Sequence, residues 1–175
     1  MPDGAEPKQP VASDVYVEMV SSLMSAEFDR RKGIEARGAV ILTASATLLT
    51  LIFGLTVVVT GKDHVFANHS ALIFLLFALA SFIISAVLAI VVQGYAFRYT
   101  VTGVKTLQGL TSNAFWLLDH DTATRMWVQR QVNTTLSLRA GNDVKATLVL
   151  VALGWQVVAV VLLSASIGLE MWGRV

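Results

Sequence analysis

The sequence contains no cysteine, which excludes disulfides, thiolate metal sites and cysteine nucleophiles. Charge is scarce too: 14% of the 175 residues are Asp, Glu, Lys or Arg, against about 25% in an average soluble domain. So few charges cannot cover the surface of a small soluble protein. Nucleic-acid binding finds no support, because the net charge is only +1. No Gly-rich phosphate loop, HExxH or GxSxG is present, and the long apolar stretches hold no carboxylate of the kind that marks an ion-coupled carrier. The expectation is a protein that is not an enzyme and has no cofactor or metal.

Apolar residues make up 55% of the chain and are gathered into three blocks. Residues 39–60, AVILTASATLLTLIFGLTVVVT, form 22 positions without a charge. As a helix this block reaches about 33 Å, enough for a hydrocarbon core of about 30 Å. Residues 71–97 and 146–169 have the same texture. The fold class read from this pattern is an all-α integral membrane protein with three transmembrane helices and amphipathic cytoplasmic helices before the first span and between the second and third. The boundaries are a disordered tail at 1–13, a juxtamembrane helix at 14–38, spans at 39–60, 71–97 and 146–169, an external loop at 61–70, a cytoplasmic helical segment at 98–145 and an external tail at 170–175.

Within the juxtamembrane helix, Ser13 is a candidate cap, and Tyr16, Val20 and Leu23 fall on one face with Met19, Met24 and Phe28 nearby. Gly33 and Gly38 are candidate bend points. Between spans two and three a short helix is predicted over 107–118, then a capped break at Asp119, His120 and Asp121, then a helix to Ala140 with Val128, Val132 and Leu136 as its apolar stripe. That acidic triplet has the residue types of acid–base or metal chemistry, but a cap and turn need the same ones. His64 and His69 are poorly spaced for a metal pair. Thr43, Ser45, Thr47 and Thr50 in span one fit ordinary small-residue packing or, as the sharper alternative, the lining of a wet path. Gln156 is the one strongly polar side chain of span three, and with Ser81 and Ser85 of span two it is a candidate helix-packing or subunit-contact residue.

Cations set the topology. Arg30, Arg31, Lys32 and Arg37 precede span one, and Arg98, Lys105, Arg125, Arg130, Arg139 and Lys145 lie between spans two and three. The loop at 61–70 has only Lys62, and the C-terminal tail only Arg174. The positive-inside rule places the N-terminus and the 98–145 segment in the cytoplasm and the C-terminus outside. Attraction to anionic lipids accounts for these cations. The sharper reading is a phosphate or nucleotide site built from Arg30, Arg31, Lys32, Arg37, Arg125, Arg130 and Arg139.

The charged helix that runs straight into the first span, EFDRRKGIEARGAVILTASATLLTLIFGL at 27–55, resembles small bacterial membrane effectors of antiphage systems, the Pycsar transmembrane effectors and the SLATT proteins. The two-span hairpin, the helical insert and the Asn142, Asp143, Val144, Lys145, Ala146 entry to the last span fit the same layout. The resemblance covers most of residues 14–170 and rests on no invariant motif. It implies a multi-pass protein of the bacterial inner membrane that forms a homo-oligomer in the lipid bilayer. It also implies binding of a cyclic pyrimidine nucleotide (cCMP or cUMP) made by a cognate cyclase, followed by loss of inner-membrane integrity and abortive infection. No separate nucleotide-binding domain is evident, so sensing falls to the basic positions or to a partner. The alternative is a constitutive membrane scaffold or channel-like subunit that binds a cytoplasmic partner and no ligand.

Overall fold

Long runs of Leu, Ala, Val and Ile broken by few glycines and no internal proline favour helix throughout. A computed structural model describes residues 12–60, 68–94, 100, 103–109 and 112–172, and among these residues it is helical without strands. The elements are α1 (Ala12–Thr60), α2 (His69–Gly94), α3 (Val104–Gly109), α4 (Asn113–Trp116) and α5 (His120–Trp172). The expected tail before Ala12, Lys62 and His64 of the external loop, the end of span two at 95–97, Arg98 and the C-terminal Arg174 lie outside the described residues.

Three helices, α1, α2 and α5, are long and apolar enough to cross a membrane. Two of them extend well beyond a span, with 49 residues in α1 and 53 in α5. The chain divides into two compact units, one of Met1–Arg31 with Phe97–Asn142 and one of Lys32–Ala96 with Asp143–Val175. Helices α1 and α5 each contribute residues to both. The helix expected to reach Ala140 runs on through Gly141 into the last apolar stretch as the single element α5. The short helix expected at 107–118 is instead two turns, α3 and α4, separated near Ser112, whose hydroxyl donates to the Gly109 carbonyl at 2.6 Å.

Burial along the long helices repeats at alternating steps of three and four residues. In the first unit the inward positions of α1 are Val17, Val20, Met24, Glu27 and Arg31, and those of α5 are Gln131, Thr135, Leu138 and Asn142. In the second unit they are Ile34, Gly38, Ile41, Ser45, Leu48 and Ile52 of α1, and Ala71, Leu75, Ala78, Phe82, Ser85, Ala89 and Val92 of α2. The matching line on α5 is Lys145, Val149, Ala152, Gln156, Ala159, Leu163, Ser166 and Glu170. A 3.5-residue period is that of a coiled-coil seam, narrower than the stripe of an ordinary amphipathic helix. The apolar faces expected from the sequence are therefore corrected. Val20 is buried, but Tyr16, Met19 and Leu23 are exposed, and Leu136 is 57% exposed beside half-buried Val128 and Val132.

In the second unit, one apolar cluster contains Ile34, Ile41, Ala89, Val92, Val149 and Ala152, and another contains Ile52, Leu75, Phe82 and Ala159. In a bilayer, moving such side chains out of lipid would gain little by the hydrophobic effect, and close packing and interhelical hydrogen bonds would hold the helices together. Both occur. Ser85 donates to the Ala152 carbonyl at 2.8 Å and Ser166 to the Ala71 carbonyl at 2.7 Å. By contrast, Thr43, Thr47 and Thr50 turn their hydroxyls back to carbonyls four residues earlier in α1.

Candidate functional site

In the first unit, the seam places Glu27 of α1 at 6% exposure, opposite Arg139 and Asn142 of α5. Arg139 Nε donates to Glu27 Oε1 at 2.7 Å. Asn142 Nδ2 donates both to Glu27 Oε2 at 3.0 Å and to the Glu27 backbone carbonyl at 2.9 Å. Arg30 adds a longer ion pair at 3.6 Å. Burial by itself raises the Glu27 carboxyl, but the Arg139 and Asn142 hydrogen bonds and the two guanidinium charges outweigh it, so the group titrates below its ordinary 4.5. The stability that this carboxylate supplies is complete above that value and is lost as pH falls through the lower folded one. Glu27→Gln is expected to remove this acid-sensitive part of the stability, read by hydrogen exchange of residues 120–142 between pH 6 and about pH 3. An unchanged acid profile in the variant would remove Glu27 as its source.

The seven cations singled out from the sequence do not form one set. Arg30, Arg31, Arg125, Arg130 and Arg139 belong to the first unit, and Lys32 and Arg37 to the second. Arg30 and Arg139 face Glu27. Arg31 lies half-buried on the seam, while Lys32 and Arg37 are exposed. Consecutive residues of a helix point about 100° apart, so Arg30, Arg31 and Lys32 cannot converge on one small ligand from one turn. Arg130 sits 6.0 Å from the ring centre of Phe115, at the outer range of a cation–π contact.

Arg125 is different. It lines an open groove of about 640 Å³ with Ala12, Ser13, Tyr16, Val128 and Val132, and it has no hydrogen-bond or ion-pair partner among the described residues. The groove lies where α1 and α5 both begin. At the α5 end, Asp119 accepts from the Thr122 N–H at 2.9 Å, and its backbone carbonyl accepts from the Ala123 N–H at 3.0 Å. The Thr122 N–H and hydroxyl hold the Asp119 carboxyl below its ordinary value. Asp119 is thus a helix cap. At the other end, α1 starts at Ala12, one residue before the expected cap, and the Ser13 hydroxyl is buried without a partner among the described residues.

The second unit holds two further polar contacts. Lys145 of α5 is 1% exposed, and its ammonium lies 2.6 Å from Glu35 Oε1 of α1. Glu170, at 0% exposure, accepts from the Asn68 backbone N–H at 3.2 Å, just ahead of α2. Asn68 itself caps α2 by accepting from the Ser70 N–H at 2.9 Å. Of the candidate helix-packing residues, Ser85 bonds across to α5, while Ser81 bonds back to Phe77 within α2 at 2.8 Å. Gln156 is half-buried on the seam between Ala152 and Ala159. Fully buried Ser45 has no hydrogen-bond partner among the described residues.

Reading for cation clusters missed Glu27, Asn142, Lys145, Glu35 and Glu170. The signal that finds four of them is the seven-residue repeat, since Glu27 lies seven before Ile34 and Asn142, Lys145 and Glu170 fall on the α5 line. No protein-family model matches the chain, and no curated protein or solved structure is significantly similar to it.

Proposed function

We propose that this chain is a signal-responsive membrane effector of a bacterial antiphage system. In this reading the second unit sits in the inner membrane, and the first is the cytoplasmic receiver of a cyclic pyrimidine nucleotide made by a cognate cyclase. Response to the signal promotes homo-oligomerisation and loss of membrane integrity, with no catalytic step. The positive-inside distribution supports a cytoplasmic N-terminus and an external C-terminus.

The observation that carries the reading is the pairing of three span-length apolar helices with a ligand-sized groove in the unit formed by the first turns of α1 and α5. The hydrogen-bonded backbone of each of these two helices continues from the groove into an apolar stretch. A ligand can shift such a protein only by the difference in its affinity for two states. The test is membrane potential in bacteria expressing the chain, with cCMP, cUMP or cAMP supplied. Depolarisation that depends on one pyrimidine nucleotide is expected. Depolarisation without any nucleotide would favour an ungated channel-like subunit, and none under any condition would end the effector reading.

One observation favours a second reading. Val15, Tyr16, Met19 and Leu23 leave an exposed apolar face on α1 in the first unit. A constitutive scaffold would cover that face with a cytoplasmic partner, and it predicts neither a growth defect on overexpression nor any nucleotide response.

A further inference from the structure

We propose that the groove at the starts of α1 and α5 is the ligand site, and that it takes a small organic anion with a flat, apolar body. This rests on the signal-responsive reading for the choice of probes, but the chemistry comes from the groove. Its volume of about 640 Å³ falls in the range of small-molecule pockets, about 300–1,000 Å³. Two chemical halves are present. Tyr16 is 56% exposed and shares the groove with Val128 and Val132, an apolar surface on which a planar ring can stack.

The anionic end is met by Arg125, the one groove cation, which has no partner among the described residues. The guanidinium fork is suited to a phosphate or carboxylate. Beside it lies the first described turn of α1, whose N–H groups have no helical partner among the described residues and point toward the positive end of the helix dipole. The buried Ser13 hydroxyl, without an acceptor among the described residues, adds a donor at the same place. Asp121, Gln129 and Asn133 complete the polar part of the lining and suit a ligand that also bears amino or hydroxyl donors. Asp121 is a carboxylate, so the site discriminates against a bare dianion and favours an anion carried on a body that hydrogen-bonds.

The site therefore differs from a sum of juxtamembrane cations. Arg30 and Arg139 are already engaged by Glu27, and Lys32 and Arg37 belong to the other unit. The experiment uses the full chain in nanodiscs, with equilibrium dialysis of labelled cCMP, cUMP and cAMP, and inorganic phosphate as competitor. Arg125→Ala and Tyr16→Ala are each expected to weaken the bound nucleotide at least about tenfold, the loss of one charged or stacking contact. Arg125→Lys is expected to recover part of that loss, and exposed Lys105→Ala on α3 to leave binding unchanged.

Phosphate alone is expected to compete only weakly. Full competition would mean an inorganic-anion site and overturn the flat-body assignment. Nucleotide binding that survives both groove substitutions would overturn the groove while leaving the signal reading intact. Binding that depends on the groove, with no depolarisation in cells, would keep the site and end the effector reading. No binding of any of the three nucleotides to the unaltered protein would overturn the site assignment.

Discussion

Replacing Glu35 by leucine is expected to destabilise the second unit by about 3–5 kcal/mol, because it leaves a buried ammonium without its counter-charge. Lys145 is 1% exposed, and Glu35 is its one partner among the described residues, at 2.6 Å. The carboxylate is the more accessible member at 34%, so the loss falls on the lysine that stays behind. The double variant Glu35→Leu/Lys145→Met should recover most of the stability, since two apolar side chains can replace a buried pair at little cost. Reversible unfolding in mixed micelles, compared across the two single variants and the double, measures this directly. If Glu35→Leu unfolds at the same denaturant as the parent, the ammonium reaches water by extending its stem, and the pair is not a structural element.

The second large effect is expected at Gly38. A Cβ there would lie 3.3 Å from Val92 Cγ1 and 3.6 Å from the Ala89 carbonyl oxygen, in the contact between α1 and α2. Alanine forces Val92 to yield by a few tenths of an ångström, and leucine cannot be accommodated without separating the helices. Gly38→Leu is therefore expected to cost about 1–3 kcal/mol or more by overpacking. Gly33 provides the contrast within the same helix. Nothing lies within 4 Å of a Cβ at that position, so Gly33→Ala should stabilise by about 0.8–1 kcal/mol through helix propensity alone. Unfolding midpoints for the two substitutions should thus move in opposite directions. A loss at both sites would mean that Gly33 too meets a neighbour.

Gly38 also shows what a one-dimensional reading misses. A glycine inside a helix looks like a weak point, and both glycines suggested bends between a cytoplasmic helix and a span. Helix α1 runs through both of them into the apolar stretch, the continuity expected of the charged helix at 27–55. The glycine is there for what it lacks, a side chain that would fill the space taken by Val92. The same limit applies to the helix faces. Counting apolar residues selected Tyr16, Leu23 and Leu136, which are exposed, because it ranked a glutamate and an asparagine as surface residues. Glu27 and Asn142 can occupy the seam because each satisfies the other. That pairing joins positions 115 residues apart, beyond the reach of any local pattern.

The cations show a related limit of the sequence. Nearness in sequence made Arg30, Arg31, Lys32 and Arg37 look like one patch, whereas helical geometry points neighbouring side chains in different directions: Arg31 lies half-buried on the seam, Lys32 and Arg37 are exposed, and Arg30 pairs with Glu27. Arg125 had no feature to set it above the other arginines. Its distinction is its place in the lining of the groove.

What the sequence determined by itself is three stretches long and apolar enough to cross a membrane. Three uncharged apolar stretches can satisfy their backbone groups in lipid only as helices, and this follows from composition and length without any tertiary contact. Tertiary structure decided which side of each helix turns inward, that α5 runs unbroken into its apolar stretch, and which polar residues are sealed between the helices. Those outcomes depend on complementarity between distant positions, an ammonium with a carboxylate or a missing Cβ with a valine, and no residue carries its partner's address.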